Sequence, residues 1–101
     1  MKNLSNRVAI VSAAGRGIGK GIALNLGEAG ATVVVNSYSS GTTGETVSEI
    51  IEAGGMAKAM PGDITKPEVM MRVTKETIEE FGKIDILVNN VGAGSKTPMA
   101  P

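Results

Sequence analysis

The chain has 101 residues with ten basic and ten acidic side chains, so no basic surface is expected for nucleic acid or for an acidic membrane. It contains neither cysteine nor histidine, which excludes disulfides and thiolate metal sites and argues against zinc or iron. No signal peptide is visible, and no apolar run approaches the roughly 20 residues of a membrane span. We expect a cytoplasmic protein whose residues 1–101 form one domain.

The first two predicted strands are continuous apolar runs, Val8–Val11 and Thr32–Val35, which is typical of strands covered on both faces. A helix over residues 17–29 is predicted between them, and Gly30 ends it. Its predicted inner face consists of Ile18, Ile22, Leu26 and Ala29.

The second helix is predicted to begin at a capping box, Thr42-Thr43-Gly44-Glu45, in which hydroxyl and carboxylate satisfy each other's free backbone donors. Its predicted inner face consists of Val47, Ile50 and Ile51, and Gly54-Gly55 ends it.

A weaker third strand follows over residues 56–60, and a second capping box, Thr65-Lys66-Pro67-Glu68, predicts the start of a third helix. Gly82 ends that helix. Its predicted inner face steps by four residues and has two more apolar residues beside it: Val69, Val73, Thr77 and Phe81, with Met70 and Ile78. Residues 84–88 then predict a fourth, buried strand.

Strict alternation of strand and helix predicts an α/β fold with parallel strands and right-handed crossovers. We expect a Rossmann-like sheet of four strands in the order 3-2-1-4, with helices on both faces, because the crossover direction reverses after the third strand. Residues 92–101 are expected to form an open loop or tail.

The glycine-rich segment between the first strand and the first helix suits a dinucleotide pyrophosphate. A helix N-terminus supplies free N–H groups and partial positive charge, and glycine lets the ligand approach the backbone. The common Gly-x-Gly-x-x-Gly spacing is not met, and the spacing of a P-loop is absent. The alternative is that the glycines only let the helix pack closely on the sheet. The candidate residues are Ser12, Ala14, Gly15, Arg16, Gly17, Ile18 and Gly19.

This segment resembles the Thr-Gly-x-x-x-Gly-x-Gly turn of the short-chain dehydrogenases/reductases. Ser12 keeps the hydroxyl of the family's threonine and is expected to order the turn, whereas Ala13 replaces the first glycine. If Ala13 must adopt a positive φ, its side chain costs about 1 kcal/mol of stability.

Two further segments carry the resemblance. Asp63-Ile64 is similar to the family's pair that contacts the adenine ring, and Asn89-Asn90-Val91-Gly92 is similar to its Asn-Asn-Ala-Gly motif. The resemblance places Asn90, Val91 and Gly92 near the cofactor and gives Asn89 a structural role. Among family members, the chain looks most like 3-oxoacyl-carrier-protein reductases and glucose-dehydrogenase-like enzymes.

The residues after the second strand favour NADP over NAD. An acid there would bind the ribose hydroxyls of NAD and repel a 2′-phosphate, and residues 36–40 contain none. The resemblance implies that Arg16 faces the 2′-phosphate, and Asn36, Ser37 and Tyr38 are expected to donate further hydrogen bonds.

No catalytic residue is assigned. The family's serine and its Tyr-x-x-x-Lys follow the Asn-Asn-Ala-Gly motif, and Tyr38, the chain's sole tyrosine, has Thr42 four residues on. We therefore expect no hydride transfer at an enzymic rate from this chain alone. Three interpretations stay open: the N-terminal cofactor-binding part of a reductase, a stand-alone non-catalytic nucleotide-binding or interaction module, and one part of a split enzyme.

The fourth strand is also expected to lie at the border of the sheet, where its apolar edge is a template for association. The sequence therefore predicts self-association through residues 86–88. The ligand predicted from the glycine-rich segment and the family resemblance is a nicotinamide dinucleotide.

Overall fold

A computed structural model describes residues 3–15 and 17–90. Strands and helices alternate, as the apolar pattern predicts. In chain order they are β1 (Val8–Val11), α1 (Gly17–Glu28), β2 (Thr32–Val35), α2 (Ser40–Glu52), β3 (Met56–Ala59), α3 (Pro67–Phe81) and β4 (Ile86–Val88). Within the described ranges, no helix is long and apolar enough to cross a membrane.

The four strands form one parallel sheet in the order β3-β2-β1-β4, which confirms the predicted topology. β1 is central: Ala9 lies opposite Val33 of β2 on one side and Ile86 of β4 on the other. All four carboxyl ends consequently lie along the same edge of the sheet, where open α/β sheets bind their ligands.

Helices cover both faces of the sheet, as predicted. On one face α1 and α2 pack against Val11, Val33 and Val35, and Ile50 of α2 completes that cluster. On the other face α3 places Val73 against Ile10 and Val34. Successive residues of β1 and β2 thus serve opposite clusters, which explains why both strands read as continuous apolar runs.

The predicted inner face of α1 is right only in part. Its buried residues are all small, namely Gly19, Ala23 and Gly27, whereas Ile18 is 70% exposed. Ile22 and Leu26 are only partly buried at the margin of the core. Small residues are needed because the helix lies so close to its neighbours that a Cβ on Gly27 would come within 2.8 Å of the Ile50 side chain.

The predicted capping box of α2 is also wrong, because the helix begins earlier. Ser39 is the N-cap, and its hydroxyl accepts a hydrogen bond from the Thr42 N–H at 3.3 Å. The threonine hydroxyls of the predicted box bond to Ser37 and Ser39 instead. The inner face likewise differs from the prediction: Ile51 is exposed, and the buried residues are Thr43, Thr46 and Ile50.

The start of α3 departs from prediction in its cap. The N-cap is Lys66, which makes no side-chain capping bond, because the Thr65 hydroxyl donates to Asp63 at 2.5 Å. Pro67 occupies the first turn and Gly82 caps the C-terminus at φ 85°, as expected. The inner face is close to prediction, with Val73 and Thr77 buried and Val69 and Phe81 packed beside them, but Ile78 is exposed.

The fourth strand is shorter and less buried than predicted. It spans Ile86–Val88, and Leu87 is 55% exposed. Before it, the Asp85 carboxylate accepts the Val8 N–H at 2.8 Å while the Asp85 N–H donates to the Val8 carbonyl at 2.8 Å. A side chain thus takes the place of a strand hydrogen bond and ends the regular ladder.

Candidate functional site

A cavity of about 150 Å³ opens at the carboxyl ends of β1, β2 and β3. Its lining residues come from the segments that follow these three strands: Ala13, Asn36, Ser37, Tyr38, Gly62, Asp63, Ile64 and Thr65. A second cavity of about 410 Å³ lies beside it and extends to the start of α2. It shares Ala13, Ser37 and Tyr38 and adds Gly15, Ser39 and Thr42.

Ser12 joins the glycine-rich turn to the end of β4. Its hydroxyl donates to the Val88 carbonyl at 3.2 Å and accepts the Asn90 N–H at 3.0 Å, while its own N–H donates to Val88 at 3.0 Å. The hydroxyl also lies 3.4 Å from Asn89 Oδ1. The two motifs that the sequence analysis singled out, 76 to 78 residues apart, are therefore adjacent.

The turn itself has left-handed backbone at two positions. Ala13 has φ 53° and Gly17 has φ 65°, so the positive φ considered for Ala13 is present. A Cβ on Gly17 would meet nothing within 4 Å, which leaves open space at the first residue of α1.

Gly15 and Gly19 are enclosed by protein instead. A Cβ on Gly15 would lie 2.6 Å from Thr42 Oγ1, and one on Gly19 would overlap the Ala13 carbonyl oxygen. Close packing therefore explains Gly15 and Gly19. Of the three glycines at positions 15, 17 and 19, Gly17 is the one that leaves room for a ligand.

Asn36 and Ser37, at the end of β2, use their side-chain donors inside the protein. The Asn36 amide donates to the carbonyls of Met60 at 2.9 Å and Gly62 at 3.2 Å. The Ser37 hydroxyl lies in a cluster with the hydroxyls of Thr42 and Thr43. Tyr38, the third predicted donor, differs from these two because it is 80% exposed at the rim of both cavities.

The segment after β3 is held by Asp63. Its Oδ1 accepts both the N–H and the hydroxyl of Thr65, at 3.0 and 2.5 Å. These bonds, with a smaller contribution from the charge of Lys66, lower the pKa of Asp63 below its ordinary value of 3.8. Arg72 donates to the Pro61 carbonyl at 2.8 Å and fixes the other side of this segment.

The structure brings together most of the predicted site residues, with different exposures. Ser12, Ala14, Asn36 and Ser37 are buried, so Ala14 offers only its backbone, whereas Ile18 and Tyr38 are exposed. Gly62 and Ile64 line the cavity beside Asp63, and Asn90 is half-buried next to Ser12. Arg16, Val91 and Gly92 lie outside the described residues.

Sequence reasoning missed the threonines of α2. Thr43 and Thr46 are fully buried, and the Thr46 hydroxyl donates to the Ala14 carbonyl at 2.9 Å. Two threonines three residues apart, followed by Ile50 on the same face, are the sequence signal that could have revealed them.

Comparisons with known proteins agree with this geometry. A family model described as short chain dehydrogenase matches residues 7–101. The hydroxynaphthalene reductase-like protein Arp2 of Metarhizium robertsii is 47% identical over 92 residues, which cover 90% of this chain and 34% of that protein. The 7alpha-hydroxysteroid dehydrogenase of Escherichia coli is 41% identical over 95 residues, which cover 94% of this chain and 37% of that enzyme.

Solved structures match the fold closely. A crystal structure of hydroxysteroid dehydrogenase from Escherichia coli superposes with a TM-score of 0.88 at 40% identity and covers 97% of this chain and 42% of that one. A complex of 7 alpha-hydroxysteroid dehydrogenase with NADH and 7-oxo glycochenodeoxycholic acid gives 0.87 at 40% identity, over 97% and 38% of the two chains. The chain spans about a third of the length of the curated relatives it matches. With the family model matched over residues 7–101 and the predicted sheet order present, the chain belongs to the short-chain dehydrogenase family.

Proposed function

We propose that this chain is the dinucleotide-binding part of an oxidoreductase and that it prefers NADP to NAD. The observation that carries the proposal is the cavity at the carboxyl ends of β1–β3, which is lined by Ala13 of the turn that leads into α1. Dinucleotides bind at this place in doubly wound sheets because the first turn of the helix offers unpaired N–H groups to the pyrophosphate.

The residues present fit such a ligand. Open space beside Gly17 leaves room for the pyrophosphate at the start of α1. Gly62, Asp63 and Ile64 form one wall of the cavity, where we place the adenine ring, and Tyr38 stands at its rim. Asn90 is assigned to the neighbourhood of the cofactor together with Val91 and Gly92, on the strength of the motif alone.

The preference for NADP follows from charge. Residues 36–40 carry no acid, so nothing after β2 repels a 2′-phosphate. Asp63 is the one carboxylate among the described lining residues, and it belongs to the segment after β3, bonded to Thr65. The sequence puts Arg16 in the glycine-rich turn, where its charge would complement the phosphate.

For the whole enzyme we propose hydride transfer between NADP(H) and a carbonyl or alcohol substrate. The names of the relatives, a hydroxynaphthalene reductase-like protein and a hydroxysteroid dehydrogenase, support that substrate class. The nicotinamide ring supplies the hydride chemistry when bound, and this chain's own residues bind and orient the dinucleotide.

Calorimetric titration of the chain with NADP⁺ and NAD⁺ tests the proposal. Arg16→Glu is expected to weaken NADP⁺ binding about tenfold and NAD⁺ binding at most about threefold, since reversing one charge beside the 2′-phosphate is worth roughly 1.4 kcal/mol. Lys75→Glu, the same charge change on an exposed position of α3, is the control and should change neither affinity.

Equal losses for both dinucleotides in Arg16→Glu would show that Arg16 does not read the 2′-phosphate. If the folded wild-type chain binds neither dinucleotide, the proposed function itself is wrong.

We also propose that the chain self-associates through β4. Among the strands that the structure describes, β4 is the last in the sheet order, and its residue Leu87 is exposed. Sedimentation should show a concentration-dependent dimer or larger species that Leu87→Lys abolishes. Met56→Lys places the same charge on an exposed residue of β3, at the opposite edge, and should leave the association intact. A wild-type monomer at high concentration would contradict this proposal.

A further inference from the structure

One buried hydroxyl reaches from α2 to the glycine-rich turn. Thr46 is fully buried, and its Oγ1 donates to the carbonyl of Ala14 at 2.9 Å, with the carbonyl of Gly15 at 3.5 Å. Thirty-two residues separate Thr46 from Ala14, so the bond ties two distant parts of the chain.

A helical threonine has a local alternative to such a bond. Thr77 of α3 is equally buried, and its hydroxyl donates to the Val73 carbonyl, four residues back, at 2.7 Å. This back-bonding is the usual choice of a threonine in a helix interior. Thr46 is thus distinguished from Thr77 by where its hydroxyl points, not by burial or residue type.

The bond from Thr46 acts on the carbonyl of Ala14, the residue that follows the left-handed Ala13. The Ala14 N–H donates to the Asn36 carbonyl at 2.7 Å, so residue 14 is held on its N–H side by the end of β2 and on its C=O side by α2. Ala13 would otherwise favour a right-handed backbone by roughly 1 kcal/mol. Hydrogen bonds from neighbouring elements are therefore needed to hold Ala13 in its left-handed conformation.

The orientation of the carbonyl groups in the turn also affects how well the turn binds an anion. The N–H of a trans peptide points opposite to its C=O, so a carbonyl turned toward Thr46 turns the next N–H away from it. An anion-binding turn must present N–H groups and withdraw its carbonyl oxygens, whose lone pairs repel phosphate. The Thr46 hydroxyl lies 2.9 Å from the Ala14 carbonyl oxygen and 3.5 Å from that of Gly15, so both carbonyls of the turn face Thr46.

We propose that Thr46 is a positioning residue for the dinucleotide: it withdraws the Ala14 and Gly15 carbonyls so that the turn is preformed for a pyrophosphate. The inference rests on the proposed function and deepens it, since it assigns a residue outside the cavity to ligand affinity. Thr46 lines neither cavity, so its proposed effect on the ligand acts through the turn alone.

The test compares three variants by NADP⁺ titration and by urea unfolding. Thr46→Val keeps the branched shape but removes the donor, and should weaken NADP⁺ binding about fivefold or more. Thr46→Ser restores the hydroxyl and should bind within about twofold of wild type. Thr77→Val removes a hydroxyl of the same burial on the other face of the sheet. It should lower the urea midpoint without changing the dissociation constant.

Wild-type affinity in Thr46→Val, or an equal loss in Thr77→Val, would overturn the inference, because the hydroxyl would then serve stability alone. Failure of Thr46→Ser to restore binding would also overturn it.

Amide exchange in the ligand-free chain separates this inference from the proposed function. Thr46→Val should speed exchange of the Ala14 N–H at least tenfold and spare the β1–β2 ladder, whereas Thr46→Ser and Thr77→Val should leave Ala14 protected. Unchanged protection of Ala14 in Thr46→Val overturns the positioning role even if the dinucleotide binds. Lost protection in a chain that binds no dinucleotide supports the role of Thr46 in the turn and refutes only the ligand.

Discussion

The two ends of β1 are fastened by different chemistry. At its carboxyl end the partners are uncharged: the Ser12 hydroxyl bonds to Val88 and Asn90, and Thr46 bonds to Ala14. At its amino end the fastening is ionic. Asp85 accepts the Val8 N–H and pairs with Arg7 at 3.5 Å and Lys83 at 3.3 Å.

The difference shows that the turn at the candidate anion site is held in place by uncharged groups. Buried neutral hydrogen bonds fix geometry without adding a fixed negative field, and they are costly to break because the partner is left unsatisfied. Exposed ion pairs hold less tightly and are screened by salt, and here they lie at the end of β1 away from the candidate site.

The largest loss of stability is expected from Gly19→Ala, which lies against the turn at the carboxyl end of β1. The new Cβ would overlap the Ala13 carbonyl and lie 2.7 Å from Asn90 Nδ2, so backbone must move. We expect a loss of about 3 kcal/mol in the free energy of unfolding, measured by urea denaturation.

Gly21→Ala is the matched control, since a Cβ there meets nothing within 4 Å. The same substitution two residues along α1 should stabilise the chain by up to about 1 kcal/mol through helix propensity. Similar effects of both substitutions would mean that the close approach at Gly19 does not constrain the turn.

A smaller, pH-dependent effect is expected from Asp85→Asn at the amino end. The Val8 N–H, and then Lys83 and Arg7, hold the pKa of Asp85 below its ordinary value of 3.8. Because the folded pKa is the lower one, the ionised carboxylate stabilises the fold above pH 3.8, and this contribution is lost as the pH falls through the folded pKa.

Asp85→Asn should therefore be less stable than wild type at pH 7, and the two should converge as the pH falls below 3.8. Urea midpoints measured across that range provide the check, and added salt should narrow the gap at pH 7. A gap that persists undiminished in acid would show that the Asp85 charge is not responsible.

The sheet order could be predicted from sequence because it follows from apolar runs and crossover geometry. Helix faces and caps could not, because tertiary contacts decide them. Ile18 is apolar enough for the core, yet Gly19 takes the buried position where α1 lies close to Ala13 of the turn. Thr65 has the spacing of a cap, but its hydroxyl is drawn to Asp63.

The candidate site was predictable at the level of segments more than of atoms. The positions of Ser12, Tyr38 and Asp63 after the first three predicted strands put them at one edge of the sheet, where they lie. The sequence did not reveal that the Asn36 amide is used by Met60 and Gly62, nor that Thr46 reaches the turn. Both bonds depend on packing between elements far apart in the chain.

The bond between Ser12 and Asn90 has a consequence for the order of events during synthesis. β1 and Ser12 leave the ribosome before β4, and the Ser12 hydroxyl bonds to a partner 78 residues further along the chain. Contacts across so long a loop form slowly and late in folding. A nascent chain therefore completes the hydrogen bonds of the Ser12 turn only after Asn90 has been made.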